Sequence, residues 1–204
     1  MAEPPTTPGR DGEANRVHPR SRADWRAWPA AHHGRGEGVW LVRTKKAAGG
    51  PTLSDDDVVE EAVAFGWIDS VPKKLDAERW MVWVAPRQPG SNWSRLSKER
   101  AARMERRGLM AEAGRAAVDR ARADGSWSAL DDVEDLVVPG DLAAALAARP
   151  PARAEWDAFP PSVRRGILEW VLNAKRPATR ARRIGETARL AQAGKRANQW
   201  PREG

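Results

Sequence analysis

The chain has 204 residues, 41% of them hydrophobic and 31% charged, enough to bury a core of its own as one domain or one and a half. Cysteine is absent, which excludes disulfides, a thiolate nucleophile and sulfur-ligated metal, and no run of 18 apolar residues offers a membrane span. The net charge of +7 is unevenly placed: residues 164–204 hold 11 Lys/Arg against 3 Glu, while the other 163 residues hold 24 against 25.

Residues 1–22, rich in Pro, Gly and Arg, read as a disordered tail. They contain no apolar stretch of the secretory-leader type, so a cytoplasmic protein is expected. "RADWRAWPAAHH" (22–33) predicts a short helix stopped near Pro29, and "GVWLVRTKK" (38–46) a strand. Over 52–66 the pattern predicts a helix capped by Ser54 or Asp55 and ended by Gly66. Asp55, Asp56 and Asp57 then sit in its first turn, where the dipole favours negative charge. "WIDSVPKKL" (67–75) and "ERWMVWVAP" (78–86) read as strands. Their short connection permits only antiparallel pairing, so with 38–46 they predict a three-stranded antiparallel sheet.

From Ser97 onward the chain reads as helical. One helix runs to about Gly108 and another to Gly125. A third opens at Pro139-Gly140 and ends at Pro150, two more open at prolines, and the last runs from Pro177 to Gly194. The expected class is α+β, a small antiparallel sheet packed on helices with an all-helical C-terminal half. The expected organisation is a tail (1–22), an α+β part (23–138), a helical part (139–198) packed as one unit with it, and a short tail (199–204).

The aromatic content is eleven Trp, two Phe and no Tyr, so core and ligand surfaces should be built on Trp, whose N–H wants an acceptor. The histidines are His18, His32 and His33, too few and too scattered for a metal motif. No phosphate-binding glycine loop or nucleophile elbow occurs, and neither metal nor cofactor is indicated.

Two regions stand out as binding surfaces. In the first, "GWIDSVPKK" and "APRQPGSNWS" place Trp67, Asp69 and Lys74 near Arg87, Trp93 and Ser94, a set that suits a small anion or planar ligand. The competing reading makes Trp67 and Trp93 core anchors and Asp69–Arg87 an ion pair. The second is "AKRPATRARRIGETARL" (174–190). With Ile184 at the centre of a buried face, Ala181, Ala188 and Ala191 fall beside it. Arg182, Arg189 and Arg196 fall opposite, seven residues or about 10 Å apart, with Arg180 and Arg183 flanking and Glu186 one turn after Arg182. Such a stripe can contact phosphates or an anionic protein or membrane surface; a solvated outer face has the same pattern.

Taken in order, "GVWLVRTKKAAGGPTLSDDDVVEEAVAFGWIDS", "APRQPGSNWSRLSKERAARMERRGLMAEAG", "DGSW" and "LEWVLNAKRPATRARRIGETARLA" resemble the YdeI/OmpD-associated (bacteriocin-protection) family from about Trp25 to Asn198. Its members are associated with stress response and with resistance to bacteriocins or cationic antimicrobial peptides, and the resemblance implies no catalytic set. It draws attention to Trp67, Asp69, Arg87, Trp93, Ser94 and Arg180, Arg182 and Arg183. Ser70, where the family often has Gly, and Gln88-Pro89, where it often has a further base, depart from the pattern.

The sequence thus points first to a non-enzymatic protective protein acting through binding. A nucleic-acid module using the basic C-terminal helices and a small-molecule site or enzyme at the Trp67–Trp93 loop are the alternatives. A chain of charge +7 does not attract cationic peptides by net charge, so direct capture would need acidic patches such as Asp55–Glu61 or Asp131–Asp135.

Overall fold

The computed structural model describes residues 12–50 and 52–199, and the chain divides into two compact units, Met1–Trp127 and Ser128–Gly204. In the first unit a four-stranded sheet has the order β1-β2-β4-β3, formed by β1 (Arg16–Val17), β2 (Val39–Thr44), β3 (Trp67–Lys74) and β4 (Arg79–Pro86). The three antiparallel strands expected from the sequence are present, with β4 paired to both β2 and β3. β1 is an addition, pairing parallel to β2 through Arg16↔Trp40 and Val17↔Leu41. It lies inside the stretch read as a disordered tail, which therefore gives way to structure from Glu13 on; residues 1–11 and 200–204 are outside the described residues. The turn into β4 is set by Asp76, whose carboxylate accepts from the N–H groups of Glu78 and Arg79 at 2.9 and 2.7 Å. Pro72 is tolerated because β3 is an edge strand and its register slips between Asp69 and Pro72.

Helix α1 (Arg22–His32) runs through Pro29 instead of stopping there. Pro29 is buried, and the fully buried Trp25 donates its indole N–H to the Val58 carbonyl at 3.0 Å, so packing holds a turn that proline alone would break. In α2 (Asp55–Ala64) Ser54 and Asp57 form a reciprocal capping box, and Gly66 follows with φ +76. Two further helices, α3 (Arg95–Arg106) and α4 (Glu112–Ala123), complete the unit. α4 abuts the end of α2: the Ala111 N–H donates to the Ala64 carbonyl, and a side chain at Gly114 would collide with the same oxygen. The core joins Val39, Leu41 and Val84 of the sheet to Trp25, Val63, Trp67 and Trp93, while Trp40, Val42 and Met81 form a smaller cluster.

The second unit is all helical among its described residues: α5 (Asp131–Glu134), α6 (Gly140–Ala147), α7 (Ala152–Ala158), α8 (Pro161–Leu172) and α9 (Pro177–Gln192). The short α5 has no counterpart among the predicted helices. Leu142, Leu146, Trp156, Ile167 and Val171 surround the buried face of α9.

Candidate functional site

The acidic row on α2 is matched throughout by arginines. Glu60 and Glu61 are 2% and 1% exposed, a burial that carboxylates tolerate only with charged partners. Arg22 supplies three contacts at once, to Glu61 at 2.6 Å, Glu60 at 2.8 Å and Asp57 at 3.2 Å. Arg26 reaches Glu61 at 2.6 Å; Arg103 and Arg107 reach Glu60 at 2.7 and 3.3 Å. Asp56 is held by Arg100 at 2.8 Å and Asp55 by Arg43 at 2.5 Å. The Arg100 hydrogen bond keeps the Asp56 carboxyl below its ordinary range. Every acid from Asp55 to Glu61 thus has an arginine partner, with Glu60 and Glu61 enclosed and Asp55 and Asp56 at the surface.

The loop between β4 and α3 brings Arg87, Trp93 and Ser94 together. Arg87 is 6% exposed, and its guanidinium lies 3.8 Å from the Trp93 ring centroid, donating to the Asn92 carbonyl at 3.1 Å and to Ser97 Oγ at 3.3 Å. Burial lowers its pKa to about 10, against the opposing charge of Asp69. Ser94 caps α3, accepting from the Ser97 N–H at 3.2 Å. Trp67 is 1% exposed and donates to the His33 carbonyl at 3.3 Å. Lys74 lies at the far end of β3, paired with Trp80, whereas Trp67 is paired with Pro86. Arg87, Trp93 and Ser94 thus pack on one another and on the start of α3 more than around a space, and Lys74 stands apart from them. Beside the loop lies a recess of only about 10 Å³, room for a single water, lined in part by Arg87, whose Nε has no protein partner.

On α9 the arginines separate into two groups. Arg180 pairs with Asp141 at 2.7 Å, and that hydrogen bond raises the Arg180 pKa and lowers that of Asp141. Arg183 stacks on Trp170, 4.9 Å from the ring centroid, and donates to the Trp170 carbonyl. Both are half-buried and serve the fold. Arg182 and Arg189 are exposed and make no ion pair among the described residues; Glu186 makes none either. Arg196 falls outside the stripe, because α9 ends at Gln192 and Gly194 turns the chain at φ +66. The buried face holds Ile184, Ala188 and Ala191 as expected, with Thr187 in place of Ala181, which is exposed. Thr187 fits there because its hydroxyl donates to the Arg183 carbonyl at 2.8 Å. The stripe is legible in the spacing of the arginines, but which of them are engaged depends on Asp141 and Trp170, 39 and 13 positions away.

Comparison with known families divides the chain similarly. Residues 135–194 match the bacteriocin-protection, YdeI or OmpD-associated family, and residues 17–117 match a domain of unknown function (DUF8412). The likeness expected from Trp25 to Asn198 is therefore confined to the helical end. "AKRPATRARRI" lies within it; "FGWIDS" and "NWS" fall in the other domain. No curated protein and no solved structure matches the chain. No helix among the described residues is long and apolar enough to cross a membrane.

Proposed function

We propose that the chain is a non-enzymatic protection protein of the YdeI/OmpD-associated type, which confers resistance to bacteriocins or cationic antimicrobial peptides by binding an anionic partner through the outer face of α9. The observation that carries this reading is the pair Arg182 and Arg189. They are exposed and without carboxylate partners on the helix inside the family match, whereas their neighbours Arg180 and Arg183 are engaged. Direct capture of a cationic peptide by the Asp55–Glu61 row is disfavoured because each of its acids already has an arginine partner. The test is survival of cells challenged with a cationic peptide, comparing the wild-type chain with Arg182→Glu/Arg189→Glu at equal protein levels. Loss of protection in the variant is expected; undiminished protection would sink the proposal.

A nucleic-acid role is the second reading, favoured by the spacing of the same two residues, seven positions or about 10 Å along the helix. Titration with random duplex DNA at several salt concentrations tests it. Two phosphate contacts contribute roughly −1.8 to the slope of log K against log salt, and the double substitution should remove that amount. Absence of binding at low salt would end this reading.

A further inference from the structure

We propose a binding site for a small neutral aromatic ligand carrying one hydrogen-bond acceptor, in the groove between α3 and α4 of the first unit. This inference is independent of the role proposed for α9. The groove runs between Ala101, Ala102 and Glu105 on α3 and Arg115, Val118 and Arg122 on α4, positions spaced three and four apart that share one side of each helix. Alanine at 101 and 102 leaves open what a larger side chain would fill. The space is about 400 Å³, within the range of small-molecule sites and roomy enough for a fused two-ring body. Its floor is apolar: Ala101, Met110 and Val118 are buried, and the Met110 thioether suits the edge of an aromatic ring. The half-buried Trp127 lines the same space and packs 5.0 Å from the buried Trp93.

Two features fix the chemistry of the occupant. The first is charge. Glu105 pairs with Arg115 at 2.9 Å, which bridges the two helices, and Asp119 reaches Arg122 at 3.8 Å. Lys98 is engaged over Trp127, and Arg106 is exposed to water. None of these groups is a buried charge in want of a counter-ion, so a charged ligand would give up hydration on the apolar floor without recovering it. The second feature is the Trp127 indole. Lys98 Nζ and the Arg122 guanidinium lie over its ring, 5.6 and 5.1 Å from the centroid, so the ring face is taken. Its N–H has no acceptor among the described residues, although a half-buried indole seeks one. A carbonyl or ether oxygen on the ligand satisfies that donor without breaking an ion pair, while a flat ring covers Met110 and Val118. A polyanion meets neither condition.

The test uses the full chain and three fluorescent dyes that share one ring system: the neutral ketone propionyl-dimethylaminonaphthalene, its parent dimethylaminonaphthalene without the carbonyl, and the anionic dimethylaminonaphthoate. The ketone should bind saturably at one site per chain, about fivefold more tightly than the more apolar parent and about tenfold more tightly than the carboxylate. Simple adsorption to apolar surface would give the reverse order for the first two. Trp127→Phe keeps a ring but removes the N–H, and should bring the ketone down to the affinity of the parent while leaving the parent unchanged. Ala102→Trp fills the groove from an exposed position and should weaken both neutral dyes about tenfold. Circular dichroism and the melting temperature confirm that each variant folds, and Arg182→Glu/Arg189→Glu should bind all three dyes as the wild type does. Unsaturable binding, a parent or carboxylate bound as tightly as the ketone, or binding indifferent to Ala102→Trp would each overturn the proposal.

Discussion

Both units are rich in arginine, and they use it in opposite ways. Around α2, Arg22, Arg26, Arg43, Arg100, Arg103 and Arg107 are all matched to carboxylates, two of which are almost completely buried. On α9, Arg182 and Arg189 stand in solvent and make no ion pair among the described residues. The difference shows that the count of arginines says little about where a polyanion binds; what matters is whether the fold has already supplied a counter-charge. A buried carboxylate demands its arginine, since an unpaired charge removed from water costs several kcal/mol, whereas an exposed arginine demands nothing.

That contrast can be broken experimentally. The largest effect should come from Arg22→Ala, which takes a partner from both Glu60 and Glu61. About 3 kcal/mol of stability should be lost in urea unfolding, the lower end for a broken buried pair because Arg26, Arg103 and Arg107 remain. A loss below about 1 kcal/mol would mean that the network is dispensable. Next, Arg87→Ala removes the guanidinium from the Trp93 face and from the Asn92 carbonyl. A cost of about 2 kcal/mol is expected, read from the same unfolding curves.

Acid should produce a smaller effect. Asp56 and Asp141 have folded pKa values below 3.8, each lowered chiefly by an arginine hydrogen bond. Their stabilising contribution is complete above 3.8 and is lost as the pH falls through the lower folded values. As both carboxylates are about half exposed, each contributes less than about 1 kcal/mol. NMR titration of Arg100→Ala and Arg180→Ala should show the corresponding carboxyl return toward its ordinary value. Smallest of all, Arg182→Glu/Arg189→Glu should change stability by less than about 0.5 kcal/mol, because neither side chain serves the fold. A clear destabilisation would show that α9 uses them structurally and would erase the contrast.

Much was legible from local pattern alone. The three antiparallel strands follow from β-branched and aromatic runs joined by a connection too short to cross over, and α2 from Ser54, its acidic first turn and Gly66. The buried face of α9 follows from the period of Ile184, Ala188 and Ala191. The errors are equally local: Pro29 reads as a stop and residues 13–17 as tail. The physical cause lies elsewhere in the chain, in the Val58 carbonyl that anchors Trp25 and in the β2 edge that accepts β1.

The sequence by itself determined element type, the Trp-built core and the concentration of positive charge at the C-terminal end, because periodicity, capping and composition act over a few residues. Only the tertiary structure decided which charges are free. Arg22 meets Glu61 across 39 positions and Arg180 meets Asp141 across 39. Coulombic partnership and cavity shape depend on distance in space, and linear spacing encodes that distance only within a helix or strand.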